Sequence, residues 1–108
     1  MRPVVFIYET GVDAVYLSEI CAGLEEEGVP FAVCHNNHDD EKKLAFDAAN
    51  HSRLHVGIGI TAEAAALQIR NCQPEKPIFF IGLHGATNAD LRKLGTNAGR
   101  AVKGGVFI

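Results

Sequence analysis

Residues 54–60 read Leu-His-Val-Gly-Ile-Gly-Ile, an apolar run whose length and composition predict a buried strand. Side chains alternate between the two faces of a strand, so the Leu, Val and Ile residues share one face and His55, Gly57 and Gly59 share the other. The two glycines leave room for a helix to pack closely against that second face. The run therefore predicts a strand covered on both sides, as in the sheets of α/β proteins.

Outside this strand, the chain alternates between short apolar runs and longer amphipathic ones. Runs rich in Val, Ile and Phe predict further strands at Pro3–Tyr8, Phe31–Cys34, Ile78–Leu83 and Gly105–Ile108. Helices are predicted at Asp13–Glu27, Asp40–Ser52, Ala62–Cys72 and Asn88–Lys103. Capping residues are predicted at three of the helix starts, namely Thr10 with Asp13, Thr61, and Thr87 with Asp90.

The regular alternation of strand and helix predicts the fold class. Apolar strands separated by helices form a mostly parallel sheet with helices on both faces, joined by right-handed crossovers. We therefore expect a single α/β domain over residues 1–108. Its architecture is a three-layer α/β/α sandwich around a five-stranded, mostly parallel sheet, similar to flavodoxin-like and anticodon-binding-domain-like folds.

Composition and charge exclude several function classes. The 108 residues carry 10 Lys and Arg against 13 Asp and Glu, a net charge of −3, and the basic residues are scattered. Duplex DNA and anionic membranes both demand clustered positive charge, so neither is expected as a partner. No apolar run approaches the roughly 20 residues that cross a bilayer. Three cysteines without a CxxC motif fit a reducing cytoplasm.

Three consecutive acids, Glu25, Glu26 and Glu27, end the first predicted helix. Gly28 suits the left-handed residue that closes a helix, and Pro30 prevents its continuation. Carboxylates there face the partly negative end of the helix, at a cost of about 0.3–1 kcal/mol each if nothing compensates.

No basic residue lies within four positions of the acidic run. A compensating cation, a metal ion, or an Arg or Lys of a partner chain would explain the three acids. A solvated acidic helix end that serves solubility is the alternative.

The glycine-rich strand also satisfies a cofactor motif. Residues 57–62 match G-x-G-x-x-A at a predicted strand-to-helix junction, a form that brings backbone close to a pyrophosphate. The motif lies in the third strand, and no acid stands near the end of the strand that follows. Close packing of a helix, a nucleotide site and the approach of another chain's backbone all remain open.

Other candidate sites are weaker. Cys34, His35 and His38 could form a metal site with soft ligands, but a polar loop before a helix explains the same residues. Cys21 lies on the apolar stripe of a predicted helix, where a thiol is inert. No nucleophile motif such as G-x-S-x-G is present, so no catalytic site is predicted.

Two glycines, Gly95 and Gly99, lie four residues apart inside the last predicted helix. Each costs about 1 kcal/mol relative to alanine in a helix interior. Close approach to the domain's own sheet, close approach to a partner subunit, and a helix break at Gly95 are three explanations for them.

Three ordered blocks of the sequence resemble one known family. Residues 23–30, 56–61 and 94–99 are similar in order and spacing to the small subunit of the diol and glycerol dehydratase reactivating factors. The resemblance extends over nearly the whole chain. It departs at residues 9–11, where Glu-Thr-Gly replaces an Asp-Pro type of turn, and in the loop at residues 35–40.

The resemblance implies a chaperone-like role and no catalysis by this chain. In that family the small subunit pairs with a large ATPase subunit that binds ATP or ADP, in what is expected to be a heterotetramer. The complex releases damaged cobalamin from inactivated dehydratase by subunit exchange. The resemblance further implies a magnesium ion shared with the large subunit and bound by Glu26, with Glu25 and Glu27 beside it at the interface. A cytoplasmic location is expected, with a bacterial microcompartment left open.

Two other functions remain open. The chain could be a cobalamin-contacting domain like the medium subunit of a dehydratase, or a small flavodoxin-like nucleotide-binding domain. The sequence does not decide whether a diol or a glycerol dehydratase is served.

Overall fold

A computed structural model describes residues 2–108 and shows one five-stranded sheet with helices on both faces. The strands are β1 (Val5–Thr10), β2 (Phe31–His35), β3 (Val56–Thr61), β4 (Ala64–Ile69) and β5 (Phe79–Gly82). The helices are α1 (Ala14–Glu26), α2 (Glu41–His51) and α3 (Asn88–Lys103). No helix within residues 2–108 is long and apolar enough to cross a membrane.

The strand order is β2-β1-β3-β4-β5, which places β3 at the centre of the sheet. β1 is parallel to β2 and β3, whereas β4 is antiparallel to β3 and to β5. Helices α1 and α3 cover one face, and α2 covers the other. The predicted α/β/α sandwich with five strands is confirmed, but the sheet is mixed rather than mostly parallel.

The predicted helix Ala62–Cys72 is wrong, because these residues form β4 and the loop after it. Alanine favours helix, but here its small side chain lets β4 lie buried under α2 between two strands. Thr61 does not cap a helix; its hydroxyl accepts a hydrogen bond from the Glu63 N–H at 3.0 Å within the turn. Since so short a connection can join only antiparallel strands, this one difference makes the sheet mixed.

The predicted strand Gly105–Ile108 is also wrong. This segment follows α3 as irregular chain outside the sheet. The buried side chain of Asn97 pairs with the backbone of Ile108, accepting from its N–H at 2.9 Å and donating to its carbonyl at 3.3 Å. An amide side chain thus takes the place of a neighbouring strand.

The helix caps agree with the sequence in part. Thr87 and Asp90 form the predicted capping box at the start of α3. Thr10 is not a cap, because its hydroxyl shares its one proton between the carbonyl oxygens of Asn36 and His38, at 2.7 and 2.6 Å. Asp13 caps α1 instead.

The glycines of β3 lie against α2, as the packing interpretation predicts. A Cβ placed on Gly57 would lie 2.5 Å from the Ala48 Cβ, and one on Gly59 would lie 2.7 Å from the Leu44 Cβ. Ile58, on the opposite face, is fully buried against α1 and α3.

Gly95 and Gly99 lie against α1, which is none of the neighbours expected for them. A Cβ on Gly95 would meet the backbone of Ile20, with the carbonyl carbon 2.9 Å away. Gly23 of α1 faces back, since a Cβ there would lie 2.6 Å from the Thr96 nitrogen. Helix α3 runs unbroken through both glycines. The two helices therefore cross with their backbones in contact.

We expect Gly95→Ala to lower the free energy of unfolding by about 2 kcal/mol, because its methyl group would force α3 away from α1. The cost of forcing the two helices apart would exceed the gain of about 1 kcal/mol that the higher helix propensity of alanine brings. Urea unfolding followed by circular dichroism measures it.

Gly82→Ala is the matched control, since a Cβ at Gly82 has no atom within 4 Å. Equal stability of the Gly95 variant and the control would contradict a backbone contact between the helices.

Candidate functional site

The acidic run lies at the C-terminal end of α1. Glu26 is the last residue of the helix and Glu27 its C-cap, and Gly28 follows in the left-handed conformation with φ of +71°. The Gly28 N–H donates to the Glu25 carbonyl, and the Val29 N–H donates to the Leu24 carbonyl. These two bonds make a Schellman motif, so the predicted helix end is confirmed.

Basic residues of α3 compensate the acids. Arg92, Arg100 and Lys103 project from α3 towards the end of α1 and form ion pairs with its carboxylates. They are more than sixty residues away in sequence, so a search of the neighbouring positions could not find them. The compensating charge is therefore present within the chain itself.

Glu27 is the most enclosed of the three acids, with its side chain 16% exposed. Lys103 Nζ lies 2.8 Å from Glu27 Oε1, and Arg100 Nε lies 3.6 Å from Oε2. Lys103 also donates to the main-chain carbonyl of Glu27 at 3.0 Å, which satisfies the helix end. The hydrogen bond from Lys103, with the charges of both bases, holds the pKa of Glu27 below its usual value against the opposing effect of burial.

Glu26 is more open, with its side chain 59% exposed. Its Oε2 accepts a hydrogen bond from Arg92 Nη1 at 3.0 Å. The same guanidinium donates from Nε to Glu19 Oε1 at 2.9 Å. One arginine thus bridges two carboxylates that lie two turns apart on α1.

Glu25 points elsewhere. It is exposed, and no residue within 2–108 makes an ion pair with it. Burial, and then the charge of Glu25, raise the pKa of the Cys21 thiol, so this cysteine stays protonated, as its place on the apolar stripe predicts.

The three acids do not form a complete metal site. Within the part of the chain that the structure describes, no group of three or more His, Cys, Asp or Glu side chains could hold a metal ion. Magnesium keeps several waters and often takes only one or two protein carboxylates, with phosphates completing its shell. Glu26 fits such a shared site, because it is exposed and only one of its oxygens accepts from Arg92.

The cofactor motif at residues 57–62 has no room for a pyrophosphate. The face of Gly57 and Gly59 is filled by α2, and the element that directly follows Thr61 is strand β4 and not a helix. A phosphate would therefore find neither open backbone nor a helix N-terminus there.

His35, one of the three predicted metal ligands, contacts a carboxylate instead, and His51 contacts a tyrosine hydroxyl. His35 Nδ1 lies 2.9 Å from Glu9 Oε2, and His51 Nδ1 lies 2.7 Å from the Tyr8 hydroxyl. Burial, then the charges of Cys34 and Asp47, raise the pKa of Tyr8.

Glu19 and Arg92 were missed by the sequence analysis. A signal was present, because Glu19, Gly23 and Glu26 share one stripe of α1 at spacings of four and three. The stripe lies under Arg92 because α3 crosses α1 at Gly23, and this crossing is visible only in the fold.

Several known proteins are similar to this chain in sequence. A family model described as dehydratase medium subunit matches residues 2–107. The probable glycerol dehydratase-reactivating factor small subunit of Citrobacter freundii is 41% identical over 88 residues, which cover 81% of this chain and 75% of the relative. The diol dehydratase-reactivating factor small subunit of Klebsiella michiganensis is 34% identical over 94 residues, covering 87% of this chain and 74% of the relative.

The chain belongs to the family of dehydratase-reactivating factor small subunits. Two solved structures agree. A glycerol dehydratase reactivase matches with a TM-score of 0.93 and 32% identity over 99% of this chain and 97% of that one. A diol dehydratase-reactivating factor complexed with ADP and Mg2+ matches with a TM-score of 0.92 and 31% identity, over 100% of this chain and 99% of that one. The name small subunit implies a large-subunit partner, and the resemblance stated from the three sequence blocks is confirmed.

We expect Glu27→Gln to lower the stability of this reactivating-factor small subunit at neutral pH. A carboxylate with a lowered pKa contributes stability above the usual range of glutamate, and the contribution is lost as the pH falls through the lowered pKa. The difference from the wild type should therefore shrink below about pH 4. Urea unfolding at a series of pH values measures it.

Glu25→Gln serves as the control, with little effect expected at any pH. A loss in the Glu27 variant that is equal at neutral and at acid pH would contradict the role of the ion pair.

Proposed function

We propose that this chain is the small subunit of a reactivating factor that releases damaged cobalamin from an inactivated diol or glycerol dehydratase. One observation carries the proposal: the chain matches a glycerol dehydratase reactivase over 99% of its length with a TM-score of 0.93. Sequence identities of 32–41% to small subunits from Citrobacter freundii support it.

In this proposal the chain acts by recognition and displacement, and it is not itself an enzyme. ATP and ADP bind to the large subunit, where the ATPase activity resides. Nucleotide turnover there changes how tightly the large subunit binds this domain. The domain then exchanges with a similar subunit of the dehydratase. The match of residues 2–107 to the dehydratase medium subunit family supports such mimicry, because similar folds can compete for one surface.

We place Glu26 at the junction with the large subunit, as a ligand of a shared magnesium ion, with Glu25 and Glu27 at its sides. The exposed Glu26 carboxylate has one oxygen without a protein donor among the described residues. That oxygen suits a hard cation whose other ligands are waters, phosphate oxygens or groups of a second chain. The Mg2+ and ADP of the solved diol dehydratase-reactivating factor are consistent with this assignment.

We also propose how the chain assembles and where in the cell it works. Residues 1–108 act as one domain, the complex is a heterotetramer, and it works in the cytoplasm or inside a bacterial microcompartment.

A second candidate is a cobalamin-contacting domain of a dehydratase, which the description of the family model favours. Spectroscopic titration separates the two functions. Tight, stoichiometric binding of cobalamin by the isolated chain would support the second candidate and contradict the first.

We expect Glu26→Gln to weaken association with the large subunit about tenfold in magnesium, equivalent to about 1.4 kcal/mol, and to leave folding intact. The neutral amide keeps the size of the side chain but is a poor ligand for a hard cation. Isothermal titration with and without magnesium measures the effect. Glu25→Gln is the control, for which a smaller effect is expected, and an unchanged affinity of the Glu26 variant would remove this residue from the mechanism.

A further inference from the structure

The contact between α1 and α3 places one arginine directly over the acidic stripe of α1. A Cβ on Gly23 would collide with the backbone carbonyl of Arg92, so the two helix backbones are in contact at these two residues. Glu19 and Glu26 lie one turn before and one turn after Gly23. The arginine therefore stands between two carboxylates that the helix holds at a fixed spacing.

Arg92 uses separate nitrogens for the two acids. Nε donates to Glu19 Oε1 at 2.9 Å, and Nη1 donates to Glu26 Oε2 at 3.0 Å. A planar guanidinium fixes the direction of both bonds, so a carboxylate bound to it has few orientations left. Glu26, which would otherwise rotate freely at the exposed helix end, is held by Arg92, and its second oxygen has no donor among residues 2–108.

The charge balance of this cluster decides what it can do. An arginine beside a magnesium ligand would by itself repel the metal. Glu19 cancels that charge, because its side chain, 23% exposed, also pairs with Arg92. The Glu19–Arg92–Glu26 cluster therefore keeps a net charge of −1, which is available at Glu26.

We propose that Arg92 is a positioning residue for the magnesium ion, with Glu19 as its counter-charge. This inference rests on the proposed function, in which Glu26 binds the magnesium ion. Arg92 does not touch the metal; it holds the Glu26 carboxylate in the orientation that binds, and Glu19 keeps the site attractive to a cation. The arrangement is built into the α1–α3 crossing and needs no partner to form.

Variants can separate orientation from charge. Arg92→Gln removes one positive charge, Glu19→Gln removes one negative charge, and the double variant removes both and leaves the charge beside Glu26 unchanged. Each is titrated with magnesium in the presence of the large subunit, and the concentration that gives half-maximal association is measured.

If Arg92 positions Glu26, the double variant needs about tenfold more magnesium than the wild type, the lower end of what the loss of an outer-shell partner costs. Glu19→Gln also needs more, because the arginine charge is then uncompensated. If charge alone mattered, Arg92→Gln would need less magnesium and the double variant would equal the wild type. That result would overturn the proposal.

Arg100→Gln is the matched control, since it removes an ion pair between the same two helices but touches Glu27 instead of Glu26. Its magnesium requirement should not change. Thermal unfolding of every variant is measured alongside, and a lower midpoint in the double variant with an unchanged magnesium requirement would reduce Arg92 to a structural role.

A measurement on the isolated chain keeps this inference separate from the proposed function. Three-bond NMR couplings should show one dominant side-chain rotamer for Glu26 in the wild type and averaged rotamers in the double variant. Averaging in both would overturn the positioning role. One rotamer in the wild type, together with no effect of Glu26→Gln on association, would instead overturn the metal assignment.

Discussion

The contact of two helix backbones at Gly23 and Gly95 is the constraint on which the acidic corner depends. Without a side chain at either position, α1 and α3 approach closely enough for the bases of α3 to reach the carboxylates of α1. The same contact closes one face of the sheet over a core that includes Ile20, Leu24 and Leu91. One crossing therefore sets both the packing of this face and the arrangement of its surface charges.

Much of the fold could be predicted from sequence periodicity, and the exceptions have clear physical causes. Strand β3 follows from its alternation, and α1 from its apolar stripe and its Gly-Val-Pro end. Strand β4 could not be found this way, because three consecutive alanines indicate a helix when considered locally. Small side chains are needed there because the strand is covered on both faces, with Ala65 in the core under α1 and α3, and α2 on the opposite face. The segment at residues 105–108 has strand composition, but the buried Asn97 side chain, and not an edge strand, pairs with the backbone of its last residue.

Only the acidic residues of the candidate site could be predicted from the sequence. The acids and the helix end they occupy follow from the sequence, since helix termination depends on neighbours within a few residues. The cations could not be predicted, because Arg92, Arg100 and Lys103 reach the acids across a helix crossing and not along one helix. The role proposed for Glu26 comes from the family resemblance, because local chemistry left it open between a metal, a partner and solvent.

A helix pair joined through glycine backbones has a consequence for the speed and cost of assembly. The close backbone contacts leave little room for one helix to shift on the other, so we expect the corner to keep its shape when a second protein covers it. A rigid surface loses little conformational entropy on association, and the encounter does not wait for a rearrangement. Such a surface suits the exchange between partners that we propose for this subunit.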